Sequence, residues 1–253
     1  MATEVITLQD GTRAFVFHNL GAKHLITTND QGCVKEVLFN EDDHKLKNSL
    51  REHFSNDQFF VINAQHGDQI ILITAQEKEK IHNADGLFYI HDKSSQKSGA
   101  IISLTTGDCP HILLEAENRT HKIVGGIHSG WKGTSLNIAA KGIKTVAGAG
   151  FSLRSLKIGL WSGICKRCYI VDHKVRNKLS YYSSCFERIG EDQWRLNLAG
   201  VIKMQLQLIG INDMQISESG ICSHCHKDKY EQHLLFSHRR KDIGRNGLFI
   251  MAE

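Results

Sequence analysis

A chain of 253 residues with 41% hydrophobic and 23% charged residues has an ordinary globular composition and is long enough to bury a real core. Its formal net charge of +4 is too weak and too dispersed to argue for a nucleic-acid or polyanion surface. No window approaches the roughly 18 consecutive apolar residues of a membrane span.

The opening residues MATEVITLQDGTRAF carry an early acid and no apolar stretch, so no secretory leader is read there. A first strand is predicted at RAFVFH from Arg13. A helix follows from about Asp43 to Phe54, with Leu46, Leu50 and Phe54 four residues apart and Glu41 to Asp43 in its first turn. Short β-rich runs then begin at Phe59, Gln69, Gly86, Ala100 and Lys122, each bounded by Gly, Asn, Asp or charged clusters. A second helix is expected from Thr134, as N-cap, through Ile138 and Ile143 to the Gly148–Gly150 stop. Others are expected around Asp172 to Ser180 and from Asn197 to Gly210, a glycine placed just past the helix end. Strands outnumber helices and alternate with them only partly, which predicts a mixed α/β (α+β) fold with a substantial sheet. Without a repeat, low-complexity tract or proline-rich linker, residues 1–253 read as a single domain.

Seven cysteines, odd in number and irregular in spacing, fit reduced thiols in the cytoplasm better than a disulfide framework. Three glycine-flanked motifs follow predicted strands: Gln65-His66-Gly67, Thr106-Gly107-Asp108-Cys109, and Ile127-His128-Ser129-Gly130-Trp131-Lys132-Gly133-Thr134. If the strands share one sheet, these side chains meet at its end. His66, Cys109 and His128 then form a mixed nitrogen and sulfur set suited to Zn²⁺, with a fourth position open to water or substrate. The plainer alternative is two hydrogen-bonded strand-end histidines and a small buried cysteine.

Several blocks resemble a known family. Thr105–Glu117, TTGDCPHILLEAE, resembles the laccase-domain signature T-A-D-C-x-P-x-L-L-A-D. VGGIHSGWKGT from Val124 resembles V-A-A-V-H-A-G-W-R-G-T. SGICKRCYIVDHKV from Ser162 and the closing stretch from Cys222, with its SHRRKDIGRNGLFI, match two further blocks; QHG at Gln65 and NADGL at Asn83 complete the order. Together they are similar to the YfiH/YlmD laccase-domain family, over about three quarters of the chain. The resemblance implies layered sheets flanked by helices and one zinc held by His66, Cys109 and His128. It also implies a purine nucleoside enzyme: phosphorolysis of adenosine, inosine, guanosine or methylthioadenosine, deamination of adenosine, or both. An open zinc position would supply hydroxide near neutral pH for attack at C6 of adenine. Phosphorolysis needs a phosphate site, for which Lys132, Arg239, Arg240 and Arg245 are the available cations. Asp108, beside Cys109, is a candidate orienting or acid/base group.

The chain departs from the family pattern near its start, where Thr27-Thr28-Asn29 lacks the usual arginine, and at Pro110, one residue earlier than usual. Rival readings use overlapping residues. Cys109 and His128 could be the nucleophile and base of a metal-free cysteine hydrolase or deamidase. Copper polyphenol oxidation needs several paired histidines, and His224-Cys225-His226 is the one such pair. Cys165-x-x-Cys168 and Cys222-x-x-Cys225 have zinc-type internal spacing, but lie farther apart than the usual 15–20 residues. A non-catalytic interaction module is the remaining alternative.

Overall fold

The structure, a computed structural model, describes residues 2–39, 50–55, 58–96 and 99–253. Its strands begin with β1 (Thr3–Thr7), β2 (Arg13–Phe17), β3 (His24–Thr27), β4 (Phe59–Ile62), β5 (Ile70–Ile73) and β6 (Ile81–His82). They continue with β7 (Gly86–Asp92), β8 (Ile101–Thr106), β9 (His111–Glu117), β10 (His121–His128) and β11 (Lys157–Trp161). The last five are β12 (Ile170–Val171), β13 (Phe186–Arg188), β14 (Trp194–Leu196), β15 (Ile216–Glu218) and β16 (Asn246–Met251). The α-helices are α1 (Val34–Phe39), α2 (Trp131–Ser135), α3 (Ile138–Gly148), α4 (His173–Lys178) and α5 (Leu198–Leu208). Residues 50–54 are also helical, whereas the rest of the helix expected from Asp43 lies outside the described residues.

Two large sheets form the body. One runs β1-β2-β3-β16-β8-β4-β6 and the other β15-β11-β9-β10-β7-β5, with a small β12-β14-β13 sheet beside them. Period-two alternation explains the layering. In β16, Leu248 and Ile250 face the space between the large sheets, and Phe249 and Met251 face the opposite side. In β9, Leu113 enters the same space while Ile112 and Leu114 point away. The central layer, filled by Phe15, Phe60, Tyr89 and Trp161, is therefore built by both sheets. Helices α3 and α5 cover the outer face of the six-stranded sheet through Ile138, Ile143, Ile202 and Leu206. Val34, Leu50 and Phe54 cover the outer face of the seven-stranded one. The fold is thus mixed α/β with layered sheets. No helix of the described residues is long and apolar enough to cross a membrane.

All six expected strand runs are present, and α4 and α5 fall within the expected ranges. Asp172 accepts from the Val175 amide, Asn197 accepts from the Gly200 amide, and Gly210 takes φ +92°. The helix expected from Thr134 is instead two. The chain breaks at Leu136–Asn137, where Asn137 adopts φ +59°, and α2 starts earlier, from Gly130. Helix α1 carries no strong periodic signal over its six residues and was not expected from the sequence.

His24 shows how the core selects a protonation state. Its Nδ1 donates to the Ala22 carbonyl at 2.6 Å and its Nε2 accepts from the Phe17 amide at 2.8 Å, which defines a neutral imidazole. Burial holds its pKa below 6.5. The unfolded chain therefore takes up this proton first. The contribution of His24 to stability is full above 6.5, declines as pH falls below it, and levels off below the folded value. In an NMR titration its ring signals should remain those of the neutral form at pH 6.5; a midpoint there would refute the assignment.

Candidate active site

The three expected ligands come from different layers. His66 follows β4 and Cys109 lies in the β8–β9 connection, where the chain crosses from the seven-stranded to the six-stranded sheet; His128 ends β10. The premise of one shared sheet is therefore corrected: the residues meet at the seam where the ends of two sheets converge. They line one cavity of about 480 Å³.

Asp85, immediately before β7, organises this seam. It is fully buried. One carboxylate oxygen accepts from the His66 amide and from His128 Nδ1, each at 2.9 Å, and the other accepts from the Gly67 amide at 2.7 Å. Its own carbonyl accepts from the His128 amide at 2.7 Å. Burial works to raise the Asp85 pKa, but the His128 hydrogen bond and the two amides outweigh it and hold the group below the usual carboxylate value. Burial alone would likewise lower His128; its bonds to Asp85 and to the Cys109 sulfur raise it instead to about 9. His66 is pushed down by burial and by the neighbouring His128. Its backbone sits at φ +59°, a left-handed conformation that a non-glycine residue keeps only when its surroundings hold it.

Two imidazoles and a thiol, donor types that bind metals, line the cavity together. With Nδ1 committed to Asp85, His128 is left with Nε2 to offer, oriented by a carboxylate as metal-bound histidines usually are. The His66 and His128 rings lie edge to face with centroids 5.0 Å apart. Gly130 keeps the space between sulfur and imidazole clear. A Cβ there would lie 3.1 Å from Cys109 Sγ and 3.4 Å from His128 Nε2. Behind them His111, fully buried, is a neutral imidazole that burial pushes down to about 3.

The remaining expected residues divide. Arg239 and Arg245 line the cavity, and the Arg239 guanidinium stands 5.5 Å from the centre of the Tyr169 ring. Arg240 does not line it. Its guanidinium donates to the Ser223, His224 and Leu235 carbonyls and pairs with Asp242, so it braces a turn. Lys132 is exposed, near the Trp131 ring and outside the lining. Asp108 lines the cavity, but its carboxylate accepts from Ser223 Oγ and from the Arg239 amide, both at 2.6 Å. Those bonds suit it to holding loops together rather than to moving protons.

Sequence reading missed three contributors. Asp85 lay inside the NADGL block with no role assigned, and its spacing from His66 carries no metal signature. Lys35 and Tyr169 also line the cavity, and only the tertiary structure brings them to it. Asn29, standing where the family's arginine was expected, binds the His233 carbonyl at 2.7 Å, while Thr28 caps the 3₁₀ turn Asn29–Gln31.

A two-sheet α/β fold with a histidine–cysteine–histidine cavity at the sheet seam defines the class. Residues 35–253 match the family described as multi-copper polyphenol oxidoreductase laccase, and the chain belongs to that family. Among curated relatives it is 25% identical over 179 residues to a purine nucleoside phosphorylase of Rickettsia conorii, covering 67% of this chain and 68% of that one. It is 26% identical over 202 residues to a purine nucleoside phosphorylase of Deinococcus radiodurans, covering 77% and 69%. Among solved structures, the Bacillus licheniformis hypothetical protein YfiH shares the fold with a TM-score of 0.74 at 23% identity, over 95% of this chain and 92% of that one.

Elsewhere, Cys165, Cys168, Cys222 and Cys225 offer four sulfurs that all lie within 4.8 Å of one another, a cluster able to hold a metal ion. The sequence distance between the two pairs argued against this; the fold closes it.

Proposed function

We propose that the protein is a zinc-dependent purine nucleoside phosphorylase whose metal is held by His66, Cys109 and His128. One observation carries the reading: a single cavity joins these three donors to the cationic side chains Lys35, Arg239 and Arg245 and to the aromatic groups Trp131 and Tyr169. The names of the curated relatives support the same reaction class. When bound, zinc would supply a Lewis acid with one position open beside three protein ligands.

The protein's own groups do the rest. Cations at the cavity wall neutralise phosphate and aim one of its oxygens at C1′ of the ribose. The new O–C1′ bond forms as the C1′–N9 bond breaks, its electron pair leaving with the purine, which takes up a proton. Trp131 and Tyr169 provide flat surfaces for a base. Asp85 holds two ligands in place, and Asp108 holds the Arg239 backbone. Deamination of adenosine would use the same cavity without phosphate and leave the glycosidic bond intact.

The test incubates untagged protein with adenosine, inosine, guanosine and methylthioadenosine, with and without phosphate. Free base and ribose 1-phosphate should appear only with phosphate (the methylthio sugar phosphate from methylthioadenosine). Cys109→Ala should lose the cavity metal and turnover. Arg239→Ala should raise the KM for phosphate about 10–100-fold, the loss expected for a charge-assisted hydrogen bond. Phosphate-independent conversion of adenosine to inosine would replace phosphorolysis with deamination. Full activity in metal-free protein, abolished by thiol alkylation, would overturn the zinc reading in favour of a Cys109–His128 nucleophile pair.

A further inference from the structure

The four clustered cysteines lie at the ends of neighbouring strands. β11 and β15 are adjacent and parallel, with Ile158 opposite Ile216 and Leu160 opposite Glu218. Each strand runs into a Cys-x-x-Cys turn on the same side of the sheet: Cys165–Cys168 after β11 and Cys222–Cys225 after β15. Parallel neighbours need a long crossover, and residues 169–215, which include the small sheet and α5, supply it. The crossover explains why pairs distant in sequence converge.

Each Cys-x-x-Cys segment is a tight turn, and the two turns bring their sulfurs together. In the first, the Cys168 and Tyr169 amides donate to the Cys165 carbonyl at 2.9 and 3.0 Å; in the second, the His226 amide donates to the Cys222 carbonyl at 3.0 Å. The Cys165 amide donates to Cys222 Sγ at 3.3 Å, and the His224 and Cys225 amides are directed at the same sulfur. Arg167 places its guanidinium 3.5 Å from Cys225 Sγ. N–H donors and a cation gathered on sulfur are what a cluster of thiolates requires. The sulfurs are unbonded, and Cys165 and Cys225 stand 4.0 Å apart. Tetrahedral coordination with Zn–S near 2.3 Å places sulfurs about 3.8 Å apart, so small adjustments close the site.

We propose that Cys165, Cys168, Cys222 and Cys225 bind one zinc ion in a closed structural site, separate from the cavity. The same loops back the cavity wall. The Ile164 amide donates to the Asp108 carbonyl at 2.8 Å, Ser223 Oγ donates to the Asp108 carboxylate, and the Ser223 amide donates to the Gly163 carbonyl at 3.0 Å. A metal at the four cysteines thus staples the two loops that position Asp108 and, next to it, Cys109. Four protein ligands leave no open position, so this site contributes to stability and not to chemistry.

The test does not depend on what the cavity does. Untagged protein purified in reductant is assayed for metal as wild type, as His66→Ala/His128→Ala and as Cys165→Ser/Cys168→Ser. The histidine variant should keep one zinc per chain, released by a mercurial. After exchange with cobalt it should show the thiolate-to-cobalt charge transfer and intense d–d bands of a tetrathiolate. The cysteine variant should lose that signal and that zinc. Should it fail to fold, the cobalt spectrum of the histidine variant decides alone. A histidine variant without metal and without the cobalt–thiolate spectrum would overturn the proposal, as would iron in place of zinc or the recovery of these cysteines as disulfides.

Discussion

Asp85→Asn is expected to weaken metal binding at the His66–Cys109–His128 site about 10–100-fold, the usual effect of removing the partner that orients a metal-bound histidine. The buried carboxylate accepts three hydrogen bonds, from the His66 and Gly67 amides and from His128 Nδ1. An asparagine of the same size presents only one oxygen, and its NH₂ must face at least one of those N–H groups. With the NH₂ in one position the His66 amide and His128 Nδ1 both lose their acceptor, and in the other the Gly67 amide beside His66 does, so the support of the His66 backbone at φ +59° is weakened either way. Asp85 is a positioning residue, so the measurement is metal affinity by chelator competition, taken at a temperature where circular dichroism shows both proteins folded. Asn83→Ala, which removes a side chain that accepts from Asn63 and Gln65, should leave affinity unchanged. Wild-type affinity in folded Asp85→Asn would remove Asp85 from the account.

Gly163→Ala should destabilise the fold by roughly 2–5 kcal/mol, adding the cost of a left-handed residue to that of overpacking. Gly163 has φ +64°, and a Cβ there would lie 2.2 Å from the Asp108 carbonyl oxygen and 2.7 Å from the Cys109 carbonyl carbon. Both obstacles are backbone, so relief requires moving the Cys109 segment itself. Gly220 is the natural control, with φ +63° and nothing within 4 Å of a built Cβ. Gly220→Ala should cost only the conformational part, about 1–2 kcal/mol. Urea unfolding of both variants separates the two contributions. Equal midpoints would show that the 163 loop yields freely and that close packing against Cys109 is unimportant.

The two substitutions probe opposite sides of one construction. Asp85 grips the histidine side of the cavity through hydrogen bonds, and Gly163 lets the β11 loop press against the cysteine side. Between them, ligand geometry is set by groups that would touch neither nucleoside nor phosphate.

Local chemistry made much of this protein legible from its residues. Arg13–Phe17, Phe59–Ile62 and Gly86–Asp92 are strands because apolar and β-branched runs end at turn residues; α5 begins at Asn197 because that side chain caps the Gly200 amide. His66, Cys109 and His128 could be singled out because glycine-flanked ligand types at strand ends are rare enough to notice and because the surrounding blocks resemble a family. Tertiary structure alone decided the rest. It assigned the three donors to two sheets, since pairing partners are chosen by burial on both faces and not by any one strand's sequence. It separated Arg239, which faces the cavity, from adjacent Arg240, which braces a turn, because successive residues in a turn point in different directions. It gave Asp85 its role through contacts 18 to 43 residues away in sequence. Finally, it joined Cys165 and Cys168 to Cys222 and Cys225, because two parallel strands side by side bring their following turns together whatever length of chain lies between them.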